Sequence, residues 1–187
     1  MKRYVFVIAL LLFAFVNFAR AQTVEKSVEN IRNFYDEVSK EVESTEQGGE
    51  QGNYGGFVCN ELSINKYEHS WPAVGRYRIS YKFFYEFGEH DDKIVKIVSQ
   101  SDVSSRHYYH EFLYDETGAL IFYFLKAEEG ETPKETRVYF SAGKAIRFIE
   151  GEKKRDKLTT EDMKNAREVL KKSAQVKEIF TKSSFIW

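Results

Sequence analysis

The chain has 187 residues, enough for one domain that closes a core without disulfides or metals. With 42% hydrophobic and 30% charged residues it is not a disordered chain, and 28 basic against 29 acidic residues exclude a generic nucleic-acid binder. Aromatics are the outlier: 16 Phe, 12 Tyr and 2 Trp against 2 Pro, a composition that favours strands.

Lys2 and Arg3 open the chain, and residues 4–16 form an unbroken apolar run. Ala19, Arg20 and Ala21 then place small residues third and first before Gln22. A positive start, a short apolar stretch and a small-residue exit read as a secretory signal peptide over residues 1–21, cut between Ala21 and Gln22. The run falls short of the roughly 20 residues of a membrane-spanning helix, so no stable membrane insertion is expected once the leader is gone. These features predict an exported, periplasmic or extracellular protein whose residues 22–187 form a single domain. Cys59 is the only cysteine, so no internal disulfide forms. It is expected to act as a small buried hydrophobe in a strand.

Val24, Val28, Ile31, Phe34 or Tyr35, Val38 and Val42 recur at steps of three and four, which predicts an amphipathic helix over 24–45 with Thr23 as N-cap. Residues 47–56 hold five glycines and read as a loop. A strand over 57–64 follows, then a longer one over 75–87. There Tyr77, Ile79, Tyr81, Phe83, Tyr85 and Phe87 share one face, while Arg76, Arg78, Ser80, Lys82 and Glu86 share the other, with Phe84 the exception. Residues 88–92 turn, and 93–103 and 106–114 are the next strands. The stretch 114–121 matches 139–146 at Tyr, Gly and Ile, so Gly118 and Gly143 are expected at the left-handed position of a tight hairpin turn. A charged link over 150–157 leads to a second amphipathic helix. Thr159 or Thr160 caps it, and its stripe is Met163, Ala166, Val169 or Leu170, Ser173, Val176 and Phe180. The order predicts an α+β fold: a single antiparallel sheet of about seven strands, largely a meander, flanked by an N-terminal and a C-terminal helix. Strand alternation further implies one buried face, shared by both helices, and one solvated face.

The stretches YYHEFLYDETGALIFYF (108–124) and ETRVYFSAGKAIRFI (135–149) resemble exported bacterial proteins of unassigned function. In those, a YYFDENGKLFF-like hairpin precedes an RxYFxxGKxIR hairpin. Arg137, Tyr139, Phe140, Gly143, Lys144, Ile146 and Arg147 carry the second half of the match. The resemblance implies an antiparallel sheet and export, and brings no activity, cofactor or catalytic residue.

The search for chemistry yields little. The histidines are His69, His90, His107 and His110, with no HExxH and no cysteine pair. The Glu89–Asp92 run reads as a solvated turn, so no metal and no cofactor is expected. His107, Tyr109 and Glu111 fall on one strand face and could handle protons. The residues picked for ligand binding are Tyr54, Tyr67 and Trp71, as aromatic anchors outside the core, with Arg76 and Arg78 beside them. Lys82, Arg137 and Arg147 are expected to decorate the same outer face. The reading that follows is an exported non-enzymatic binding domain for a protein or carbohydrate ligand, with no nucleic-acid partner. Alternatives are a hydrolase-like exported enzyme using His107 or Cys59, and an envelope structural or assembly factor that pairs through a sheet edge.

Overall fold

The computed structural model describes residues 2–47, 56–88, 92–130 and 132–184, with side chains from Thr23 to Ser183. Helix α1 runs without a break over Lys2–Glu46, so Thr23 lies inside it and caps nothing. No Pro or Gly stands between the apolar residues 4–16 and the amphipathic stretch, so nothing local breaks the helix there. Among the residues whose side chains are described, no helix is long and apolar enough to cross a membrane.

Nine strands follow among the described residues: β1 (Val58–Ile64), β2 (Ser70–Trp71), β3 (Gly75–Glu86), β4 (Lys93–Val103), β5 (Arg106–Tyr114), β6 (Leu120–Glu128), β7 (Lys134–Ser141), β8 (Lys144–Glu150) and β9 (Lys153–Arg155). Helix α2 (Thr160–Ser184) ends the described chain. The sheet order is β1-β3-β4-β5-β6-β7-β8-β9, with β2 on β3, and every pair is antiparallel. Short connections dictate this meander, because consecutive strands joined by tight turns can only pair antiparallel. The strands beyond the expected set are short. β2 sits within the β1–β3 connection, and β9 forms where the charged link folds back through Gly151, at φ 56°.

The two helices lie on opposite faces of the sheet, which corrects the expectation of one shared face. Val28, Ile31, Val38 and Val42 of α1 pack on Phe84, Val95, Leu113, Phe122 and Tyr139. Ala166, Val176 and Phe180 of α2 pack on the other side, among Phe83, Tyr85, Ile97, Phe112, Tyr123 and Val138. Phe84, the exception to the strand's alternation, is therefore the plug beneath α1, fully buried. Its neighbours Phe83 and Tyr85 are buried on the opposite face, while Phe87 lies beyond the reach of α2 and is 75% exposed. Met163 also departs from the expected buried stripe and is 46% exposed.

Irregularities at Phe84/Tyr85, Leu113/Tyr114 and Tyr139/Phe140 interrupt the pairing of β3 with β4, β5 with β6 and β7 with β8. Each leaves one extra residue on the second strand: Val95, Ile121 and Ile146. The three lie level across the sheet, where bulges raise the twist. Thr159 closes a capping box on α2: its amide donates to Asp162 Oδ2 (2.9 Å), and the Asp162 amide donates to Thr159 Oγ1 (3.1 Å).

Gly118 and Gly143 have φ of 75° and 71°. The β7–β8 turn is two residues, Ala142 and Gly143, both at positive φ, the geometry whose twist suits a tight hairpin. The β5–β6 turn is longer and is braced by Asp115, whose Oδ1 accepts from the amides of Thr117 (2.9 Å) and Ala119 (3.0 Å).

Two predictions follow from this packing. Phe83→Ala and Phe84→Ala should each lose about 3–5 kcal/mol in chemical denaturation, although their side chains point in opposite directions, because each empties a different core. A negligible loss for Phe84→Ala would show that α1 does not cover that face. Gly143→Val should cost roughly 1–2 kcal/mol and Gly143→Asn much less, since nothing lies within 4 Å of an added Cβ and only the backbone conformation opposes it.

Candidate functional site: a braced aromatic loop

The chain between β1 and β3 is a loop stiffened by one side chain. Asn65 Nδ2 donates to the carbonyls of His69 (2.8 Å) and Tyr77 (2.7 Å), and Asn65 Oδ1 accepts from the His69 amide (3.0 Å). The Glu68 amide donates to Asn65 O (2.9 Å), and the Val74 amide donates to Trp71 O (3.2 Å). Asn65, Glu68 and Ala73 all sit at positive φ, between 53° and 65°. Only Asn among them takes this conformation readily, so the hydrogen bonds offset a local cost. The side-chain hydrogen bonds of Asn65 hold the loop in this conformation.

What the loop holds out is apolar. Tyr67 is 80% exposed and Trp71 64%, with Ile64 and Val74 beside them also exposed. Trp71 leans on Tyr77, ring centroids 6.1 Å apart, so the indole is supported from behind while one face meets solvent. Ile64 stands opposite Ile79 on the adjoining strand, and both lie on the α2 side of the sheet. Trp71 with Tyr77 and Ile64 with Ile79 thus place apolar side chains on the same side of this end of the sheet.

The picked residues separate in space. Trp71 pairs with Gly75 and joins Tyr77 on the α2 side. Arg76 stands opposite Ser70 and Arg78 opposite Asp102, on the α1 side. The aromatic anchors and the arginines therefore do not form one site. Tyr54 lies outside the described residues, as do residues 89–91 of the acidic turn. Arg147, expected on an outer face, is fully buried: its guanidinium donates to Asp156 (Nε 2.5 Å, Nη2 2.8 Å) and to Glu25 (Nη2 2.5 Å). That pairing holds Glu25 down at about pKa 2 and ties α1 to the segment after β9.

The groups considered for catalysis do not converge. Cys59 is exposed on the edge strand and not the buried hydrophobe expected; desolvation pushes its thiol up, against thiolate formation. Pairing runs from Cys59 through Phe84 and Lys96 to Leu113, so three strand spacings and six residues along β5 separate Cys59 from His107, more than roughly 20 Å. His107 Nδ1 meets Asp102 Oδ1 at 2.7 Å, both half-exposed. Tyr109 and Glu111 share the face of His107 but turn to each other (2.5 Å), and Glu111 also accepts from Tyr35 (2.6 Å) and pairs with Lys96 (3.3 Å) beneath α1. Among the described residues no group of three His, Cys, Asp or Glu is placed to hold a metal.

A second buried polar cluster escaped the sequence reading. His110 lies between Tyr123 Oη (Nδ1, 2.8 Å) and Lys172 Nζ (Nε2, 2.8 Å), under α2. Burial, aided by the Lys172 charge, pushes its pKa down to about 3. The signal was faint: Lys172 is a cation next to the buried stripe of α2, and only tertiary packing brings it to His110. Comparison with family models, curated proteins and solved structures returns no match for this chain.

His110 makes stability depend on pH. The unfolded chain takes up a proton near pH 6.5, while the folded chain refuses it down to about 3, so stability falls as pH drops through that window. Its share of the loss between pH 6.5 and 5 approaches 2 kcal/mol on the order of magnitude set by proton linkage. Denaturation midpoints of His110→Gln should fall less steeply over this range than those of the wild type; parallel slopes would contradict the assignment.

Proposed function

We propose that this chain is an exported, non-enzymatic binding domain that engages a protein partner through the Asn65-braced loop. The observation that carries the reading is the exposure of Trp71 and Tyr67 on a loop held rigid by side-chain hydrogen bonds. Trp and Tyr are the residue types that dominate binding hot spots, and a pre-shaped loop lowers the entropy lost on association. A protein ligand is favoured over a carbohydrate because Tyr67, Trp71, Ile64 and Val74 give this end of the sheet four exposed apolar side chains, the kind of surface a protein partner buries. Export rests on the leader-like residues 1–21. Cys59 and His107 lie too far apart to act together, and the raised Cys59 thiol weighs against its use as a nucleophile.

The Trp71→Ala, Tyr67→Ala double variant should keep the wild-type denaturation midpoint, since both side chains are already in water. Its affinity for a partner isolated from the native envelope should drop by about 30-fold or more, the scale of an aromatic hot spot. Undiminished binding by the folded variant would end the proposal.

A further inference from the structure

A half-open cleft of about 700 Å³ lies at the far edge of the sheet, away from the aromatic loop. It exists because β9 is three residues long and pairs only with Phe148–Glu150, which leaves the first half of β8 without a strand on its outer edge. Ala145 and Ile146 of that bare stretch line the cleft. Val24 of α1 faces it from one side of the sheet, and Ala166 and Leu170 of α2 from the other. Met163, a member of the apolar stripe of α2, lines it too and stays exposed there. The volume is in the range of small-molecule pockets, roughly 300–1,000 Å³.

The charge around this apolar interior that lacks an ion-pair partner among the described residues has one sign. Lys144, Lys157 and Arg167 line the cleft, and none of the three has an ion pair among the described residues. The one carboxylate in the lining is Asp156, and Arg147 already holds it in a bidentate pair and keeps its pKa low. A ligand that satisfies the cleft therefore needs an apolar body and an anionic end. The geometry points to a fatty acid: we propose that this cleft binds a single-chain fatty-acid carboxylate. Its hydrocarbon lies between α1 and α2 over Ala145 and Ile146, and its carboxylate is met by Lys144, Lys157 and Arg167. An added peptide strand fits less well, because the bare stretch of β8 ahead of Phe148 is only four residues long. The site is independent of the aromatic loop.

Calorimetric titration of the full chain with monomeric dodecanoate, decanoate and dodecyl maltoside tests this. Dodecanoate should bind one to one, about fourfold tighter for each methylene it has over decanoate. It should also bind at least tenfold tighter than the maltoside, which carries the same chain on an uncharged head. The Lys144→Glu, Arg167→Glu variant changes two exposed side chains and should fold normally; it should lose at least tenfold in dodecanoate affinity and leave the maltoside unchanged. Trp71→Ala should bind dodecanoate as wild type does. Equal affinity for dodecanoate and maltoside, unaltered binding by the charge-reversed variant, or no dodecanoate binding at all would each overturn the proposal. So would preferential capture of an extended acidic peptide in competition with dodecanoate.

Discussion

The structure depends on burying both faces of one antiparallel sheet. Neighbouring residues on a strand point in opposite directions, and Phe83 and Phe84 are both almost completely buried, one on each face. Burying an aromatic side chain is worth about 1.5–3 kcal/mol, and the same alternation failure recurs at Phe112 and Leu113 and again at Phe122 and Tyr123. Neither helix can be dispensed with, because each covers a core that the other cannot reach through the sheet. The level row of irregularities at Val95, Ile121 and Ile146 lies in this doubly covered band, where added twist lets long helices cross a curved surface.

Most polar groups trapped by this arrangement are paired within it, although Ser39 Oγ and Arg147 Nη1 are buried without a hydrogen-bond partner. Glu111 with Lys96, Tyr35 and Tyr109 lies under α1, and His110 with Tyr123 and Lys172 lies under α2. These are adjacent residues of β5 serving opposite layers. Arg147 acts at the edge: fully buried, it joins Glu25 of α1 to Asp156 ahead of α2. Removing either carboxylate would leave a buried cation under-compensated, a costly change. What the helices leave uncovered includes the end of the sheet that carries Trp71 and the edge where β9 stops short.

Much of this was legible in the sequence. The α+β order, the meander, the helical stripe from Val28 to Val42 and the glycine positions at 118 and 143 all follow from local periodicity and turn chemistry. The second buried face was also written there, as Phe84 in β3 and as the apolar runs 112–114 of β5 and 120–125 of β6, but alternation rules favour a single wet face and hid it. Trp71 and Tyr67 could be picked as exposed because they sit among turn-forming residues. Their separation from Arg76 and Arg78 could not, since it depends on the two-residue pairing of β2. Arg147 and His110 were misjudged or missed for the same reason: the groups that keep them inside, Glu25, Asp156 and Lys172, are remote in sequence and meet them only in the packed fold.

Amide hydrogen exchange on the full chain tests the two-sided core most directly. If α1 is a structural layer, amides of residues 28–42 should exchange as slowly as those of β3 through β6 and of α2, all opening with the global unfolding free energy. Fast exchange through residues 28–42, with β3 through β6 still protected, would mean that the face bearing Phe84, Leu113 and Phe122 is covered by something other than α1.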